Sequence, residues 1–553
     1  MLLPGLAALR GYQRTWLRGD LLAGLTVAAY LVPQVMAYAT VAGLPPVAGL
    51  WAILAPLALY AVLGSSRQLS IGPESTTALM TATAIAPLAT GDPGRYAGLA
   101  AALAVLVGVL CLGGWLLRLG FLADLLSRPI LVGYLAGVAL IMIVGQLGKL
   151  TGVTVHGDTF LAELRSFGGG LPGTHLPTVL LAAAMLAFLF LLQWRLPRWP
   201  APLLAVLLAT AAVTVFGLDA LGIKVVGQIP SGLPLPSLPP LGSMTDLLLP
   251  AVGVLIVGYS DNVLTARSFA AKHNQEVDAN QELLALGAAN LGSGLTHGFP
   301  VSSSGSRTAL GDAAGSRTQL YSLVALAVVV AVLLFAGPLL ADFPTAALGA
   351  IVVYAAVRLI DVQEFRRLAA FRRSELVLAL AACAGVLVLD ILYGMLLAVA
   401  LSVAEMLARV ARPHDAILGM VPGVAGMHDV DDYPQARTIP GLVVYRYDSP
   451  LFFANAQDFR RRALAALDQH EGPPVEWFVL NVEANVEVDI TALDAVESLR
   501  RELTSRGVVF AMARVKHDLR TSLDAYGLTA SIGPGHLYPT LPTAVAAFES
   551  RSR

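Results

Sequence analysis

The sequence is poor in charge. Asp, Glu, Lys and Arg make up 13% of its 553 residues, where a soluble domain carries about 25%. With 56% hydrophobic residues and a mean hydropathy of +0.71, that shortage describes an integral membrane protein. There are two cysteines, Cys111 and Cys383, each in an apolar run. They are too few for a disulfide framework or a cysteine metal centre and read as thiols buried in helices. A formal net charge of −1 gives no hint of nucleic-acid binding. No Asn-x-Ser/Thr sequon occurs. No Walker A sequence occurs either, so nothing points to a membrane-embedded ATPase. No cofactor and no metal is expected. Residues 168–173 formally fit G-x-G-x-x-G, but no strand precedes them and Pro172 stands where a helix should open; they read as an external loop. Residues 1–20 carry Arg10, Arg14 and Arg18 without an apolar stretch ending in a cleavage site, and read as a cytoplasmic leader.

What is present is apolar length. A membrane span needs about 20 largely apolar residues, fewer if it is broken inside the protein. Candidate spans lie near 21–38, 46–63, 75–90, 96–117, 129–150, 177–194, 201–217, 246–268, 281–297, 304–313, 319–340, 345–360, 375–391 and 392–411. The third and tenth are short or polar. They count because each opens on a Ser/Thr-rich stretch after a proline: Pro73-Glu74-Ser75-Thr76-Thr77 in one, Pro300-Val301-Ser302-Ser303-Ser304-Gly305-Ser306-Arg307 in the other. Each reads as a broken helix with a free N-terminus, which offers unpaired N–H groups and the positive end of the helix dipole. That is an anion site. One in each half is the pattern of a secondary transporter with inverted repeats. Arg118, Arg128, Arg195, Arg198, Lys272, Arg366, Arg367, Arg372, Arg373, Arg409 and Arg412 fall after alternate spans. That places both termini of a multi-pass cell-membrane protein in the cytoplasm. The proline-rich connection 218–245 then lies outside and joins the halves.

The spans define a transport domain over 21–412. Residues 413–440 are mixed and polar and read as a linker. From 441 to 553, strands at 442–447, 477–482 and 508–513 alternate with helices, the sign of a small α/β domain. Arg460, Arg461 and Arg462 read as a solvated face.

The run from Leu31-Val32-Pro33-Gln34-Val35-Met36-Ala37-Tyr38 to Pro45-Pro46-Val47-Ala48-Gly49-Leu50-Trp51 resembles the signature of the sulfate permease family, the solute carrier 26 anion transporters. Residues 64–73, Lys272-His273, Asn280-Gln281-Glu282-Leu283 and Ser306-Arg307-Thr308-Ala309 continue the match. The C-terminal unit resembles the STAS domain that these transporters carry. The resemblance implies a transporter, not an enzyme. Its fold would be about fourteen transmembrane segments in two inverted repeats of seven, with a core domain that moves against a gate domain, in a homodimer. It implies a substrate held between the facing N-termini of segments three and ten, with segments one and eight completing the site. Carried over position by position, that points to Gln34 and Tyr38, to Glu74, Ser75 and Thr76, to Asp261 and Asn262, and to Ser302, Ser303, Ser304, Ser306 and Arg307. One departure matters: animal relatives that carry chloride have an aromatic residue where this chain has Glu74. In the STAS unit, Thr491 matches the phosphorylatable Ser/Thr hydroxyl that anti-sigma antagonists carry; its other reading is a helix N-cap. The STAS unit's own partner is left open.

An ionised carboxylate within a membrane protein is expensive and marks ion or proton pathways. Beside an anion it also repels. Protonation of Glu74 would remove that repulsion, a route to proton–anion symport; alternatively Glu74 is only a cap. Asp261 could accept the proton instead, or pair with a cation. Arg307 either forks onto the substrate or pairs with one of the carboxylates. Gln34 and Tyr38 share a helix face, for substrate or for interhelical hydrogen bonding. The expectation is proton-coupled uptake of a small oxyanion such as sulfate, bicarbonate or a dicarboxylate like fumarate. The alternatives are an uncoupled anion channel or exchanger, or a nucleobase permease of the same fold.

Overall fold

The computed structural model describes residues 3–5, 11–89, 91–124, 127–155, 157, 159–196, 199–228, 230, 232–240, 244–470 and 472–551. Arg10 and Arg198 lie outside the described residues. The chain divides into two units, Met1–Ser402 and Val403–Arg553.

The first unit is helical. Its main helices are α1 (Leu17–Val41), α2 (Pro46–Leu63), α3 (Ser75–Ala89), α4 (Pro93–Leu116), α5 (Arg128–Thr151), α6 (Leu176–Arg195), α7 (Ala201–Phe216), α8 (Met244–Lys272), α9 (Ala279–Leu295), α10 (Gly305–Ala314), α11 (Leu320–Phe335), α12 (Thr345–Leu359) and α13 (Arg373–Ala411). Among the described residues, eight helices are long and apolar enough to cross a bilayer. Their ends follow ordinary chemistry. Pro46, Pro93 and Pro129 sit in first turns, where a missing N–H costs nothing. Asp92 and Asp278 cap α4 and α9 through two backbone N–H groups each. Gly152 closes α5 in the left-handed conformation.

The sequence reads two spans over 375–411, where the structure has the single helical element α13. It doubles back on itself: a Cβ built on Gly394 would stand 2.6 Å from Val386 Cα, and one on Gly385 2.6 Å from Leu397. In a straight helix residues eight apart are about 12 Å apart. Glycine permits that approach of the two arms.

Two buried carboxylates, Asp20 and Glu282, have no ion-pair partner among the described residues. Asp20 accepts from Arg317 N (2.6 Å), Thr318 N (3.2 Å) and Thr318 Oγ1 (2.7 Å), and so ties α1 to the turn that enters α11. Glu282 accepts from Tyr60, from Ser65 and Ser66, and from Asn262 Nδ2 at 2.7 Å. It joins α2, the turn before α3, and α8. A buried charge is tolerated when its lone pairs are filled in this way.

The second unit holds a six-stranded sheet of order β4-β3-β5-β6-β7-β8. Here β3 is Asp415–Met420, β4 Met427–Asp429, β5 Leu442–Tyr447, β6 Trp477–Asn481, β7 Val509–Ala513 and β8 Leu537–Tyr538. Strands β5 to β8 run parallel, and β3 and β4 join antiparallel at one edge. Helices α14 (Ala456–Asp468), α15 (Ile490–Ser505), α16 (His517–Tyr526) and α17 (Leu541–Arg551) complete the unit. Residues 413–440, expected as a linker, thus supply two strands of the sheet. The alternation in Ala416-Ile417-Leu418 buries Ala416 and Leu418; it is short, and the polar residues around it masked the pattern.

On α15, Glu497 is buried. Arg500 Nε lies 2.7 Å from Oε2, and Arg501 Nε lies 2.7 Å from Oε1. The hydrogen bonds from Arg500, then those from Arg501, hold its carboxyl below the usual carboxylate range. A lowered folded-state value means the pairing contributes fully above the unfolded pKa of about 4.3, and the contribution is lost as pH falls through the lowered value. Glu497→Gln is expected to lower the unfolding temperature of the second unit by about 2–4 °C at pH 7. The difference should shrink as the pH falls below the unfolded value and through the lowered one, which calorimetry of the full chain over a descending pH series checks.

Candidate functional site

The two Ser/Thr-rich stretches meet. Ile71-Gly72 (β1) pairs antiparallel with Ser302-Ser303 (β2), Ile71 opposite Ser303 and Gly72 opposite Ser302. Ser304 N donates to Ser70 O (2.9 Å), and Ser70 N donates to Thr308 Oγ1 (3.0 Å). Gly72 lets the strand pass close to its neighbours, since a Cβ would stand 2.3 Å from Ile53 Cδ1 and 3.3 Å from Arg307 Nη2 and Ile53 would have to shift. Directly after the paired residues, α3 and α10 begin. Their N-termini therefore converge, and their dipoles make the region between them positive.

A cavity of about 260 Å³ lies there, lined by residues of α1, α3, α5, α8, α10 and α12. Its polar wall holds Tyr30, Tyr38, Glu74, Ser75, Thr76, Asp261, Ser302, Ser303, Ser306 and Arg358. Glu74 sits at the N-cap of α3: its carboxylate accepts from Ser75 Oγ and from Thr76 N (3.1 Å). Asp261 accepts from Ser303 Oγ at 2.6 Å. Each carboxylate thus occupies a donor that an incoming anion would want. Glu74 takes those at the start of α3, and Asp261 takes one beside α10.

Four residues expected at the site stand one layer back from this wall. Arg307, fully buried, donates from Nη1 to Gln34 Oε1 (3.1 Å) and Pro73 O (2.9 Å), and from Nε to Ser70 Oγ (3.3 Å). Among the described residues no carboxylate pairs with it, and its Nη2 has no partner. Gln34 in turn donates to the Tyr38 hydroxyl at 3.0 Å, so the Arg307 guanidinium is linked to the wall through Gln34 and Tyr38. Asn262 faces Glu282, and Ser304 caps α10 through Arg307 N. The sequence reading misses Tyr30 and Arg358. Arg358 donates to the Tyr354 hydroxyl (3.1 Å) and lies over that ring. Its signal was available, since it is the one cation within the span 345–360. In the second unit, the cap of α15 is Asp489, which accepts from Ala492 N at 2.8 Å. Thr491, the alternative cap, stands exposed in the first turn.

The profile of the sulfate permease family matches residues 17–382, and that of the STAS domain matches 433–544. A Mycobacterium tuberculosis protein named as a probable sulfate transporter is 64% identical over 550 residues, spanning 99% of this chain and 98% of the relative. The chloroplastic sulfate transporter 4.1 of Arabidopsis thaliana is 31% identical over 546 residues, 95% of this chain and 79% of the relative. In fold, the chain is similar to the murine solute carrier 26 family member A9 anion transporter in the inward-facing state. That match has a TM-score of 0.92 over 99% of this chain and 94% of that one, at 24% identity.

Proposed function

The chain belongs to the sulfate permease family of membrane transporters, and we propose that it carries sulfate into the cell together with protons. The relatives named as sulfate transporters support the choice of anion. The observation that supports coupling is the occupation of the site's donors by its own carboxylates. While Glu74 and Asp261 are ionised, the Ser75 hydroxyl, the Thr76 N–H and the Ser303 hydroxyl are taken, and two negative charges face the cavity. Protonation of either carboxyl removes a charge and weakens its hold on those donors, which become available to a sulfate oxygen. Sulfate and proton then favour each other's binding, as linkage requires. Arg358 supplies a guanidinium from the opposite wall. Ser302 and Ser306 offer further hydroxyls. Gln34 and Arg307 hold Tyr38 and the N-terminus of α3 in position.

In this reading α3, α8 and α10 carry the anion as one body past α5 and α12, exposing it to each side in turn. Both termini lie in the cytoplasm, and the working form is a homodimer. The test is uptake of radiolabelled sulfate into proteoliposomes holding the full chain. Sulfate uptake is expected to rise with an inward proton gradient and to be inhibited by excess unlabelled sulfate more strongly than by bicarbonate or fumarate. Bicarbonate or fumarate uptake exceeding that of sulfate would overturn the choice of anion.

A further inference from the structure

Helices α5 and α12 each border two cavities. Near one end of the pair, Leu131, Leu135, Ala355 and Arg358 line the site described above. At the other end, Lys149 of α5 and Thr345 of α12 line a larger cavity of about 540 Å³. The stretch from Leu135 to Lys149 is about 21 Å long, and that from Thr345 to Arg358 about 20 Å, at 1.5 Å per residue. The second cavity is therefore a separate place. In the proposed orientation it lies on the external side.

Its wall is cationic. Lys149 is half-buried, Lys224 is exposed and His175 is half-buried. His175 Nδ1 lies 2.7 Å from Thr178 Oγ1, which fixes the ring. Lys224 is not on a free loop. Its carbonyl accepts from Thr345 N (2.9 Å) and Thr345 Oγ1 (3.2 Å), and Val226 N donates to Phe343 O (2.9 Å). The backbone at Lys224 is thereby held against the start of α12. Glu163 also lines the cavity, but among the described residues no carboxylate lies within ion-pair distance of Lys149 or Lys224. For the half-buried Lys149 ammonium, withdrawal from water without a partner is costly, and an anion placed between it and the exposed Lys224 would offset that cost. Glycine backbone at Gly148 and Gly152 also lines the cavity and leaves room.

We propose that this cavity is a second oxyanion site, which holds a tetrahedral oxyanion between Lys149, Lys224 and His175. The ion is either free sulfate or the phosphate of a lipid headgroup. The inference rests on the sulfate reading of the first site only for the choice of probe.

The test is equilibrium binding of radiolabelled sulfate to the full chain in nanodiscs of phosphatidylcholine. Two classes of site are expected. Lys149→Met and Lys224→Met, made separately, should each weaken one class by roughly ten- to hundredfold and leave the other unchanged, which also shows that the fold is intact. Lys149→Arg should retain it. Ser303→Ala should weaken the other class alone. Lysine-dependent binding that persists when the serine-dependent class is missing would fail the sulfate reading of the first site and leave this one standing. Nanodiscs containing phosphatidylglycerol decide the source. Loss of the lysine-dependent class there identifies a lipid phosphate as the occupant, and its persistence identifies free sulfate. If neither lysine variant changes sulfate binding in phosphatidylcholine, and neither changes the effect of phosphatidylglycerol, the proposal is overturned.

Discussion

Vesicles bearing the double substitution Glu74→Gln, Asp261→Asn are expected to show no response of sulfate uptake to an imposed proton gradient. The unaltered chain should accumulate sulfate about tenfold for each unit of pH difference per coupled proton, since one pH unit is about 1.4 kcal/mol. The two amides keep the shape of the acids and can still accept from Ser75, Thr76 and Ser303. They cannot take up a proton, and they resemble the protonated acids in charge. Exchange of internal for external sulfate at equal pH should therefore persist, which separates lost coupling from lost folding. The single variants then assign the proton: the one that alone abolishes the response carries it. An undiminished gradient response in the double variant would sink the coupling mechanism and leave an exchanger or a channel.

Arg307→Ala is expected to cost about 3 kcal/mol or more in stability, and to abolish uptake. The guanidinium fills acceptors on Gln34, Ser70 and Pro73, and each buried acceptor left unpaired costs about 1–3 kcal/mol. Lysine should not rescue it, because a single ammonium cannot reproduce a planar fork that reaches three partners. Thermal unfolding of the purified chain, with uptake measured on the same preparations, checks both parts. An Arg307→Lys chain with unaltered unfolding temperature and uptake would show that Arg307 is not the brace described here.

Much of the site was legible because helix termini have a local chemistry. A proline, a run of hydroxyls and an apolar stretch too short to span mark a broken helix, and the structure starts α3 at Ser75 and α10 at Gly305. Glu74 and Ser303 could be named for the same reason, whereas Asp261, inside α8, came from the family resemblance. Depth was not legible. Nothing in the sequence separates Tyr38, on the cavity wall, from Gln34 one helical turn away and behind it. Which residue of a helix face meets space and which meets another helix is set by packing between distant segments. The same blindness kept Arg307 as a candidate ligand, when its acceptors come from α1 and the turn before α3. It also hid Glu282, whose donors lie on α2, on α8 and in the turn at Ser65-Ser66. In the second unit the antiparallel strands β3 and β4 went unread, because three alternating residues are too few to stand out in a polar stretch.

The small pairing of β1 with β2 also has a bearing on how the chain is made. Ser70 and Thr308, bonded beside it, are 238 positions apart, and each doubling of such a loop adds only about 0.6 kcal/mol of closure entropy. Distance along the chain therefore does not forbid the contact, but it does delay it. When the ribosome has delivered the first seven helices, the start of α3 is already in the membrane without the strand that will pair with it. The cavity between the starts of α3 and α10 cannot exist in a half-synthesised chain. Its formation is a late event that requires both halves to be inserted in register, so a chain that has closed this site has passed its own inspection.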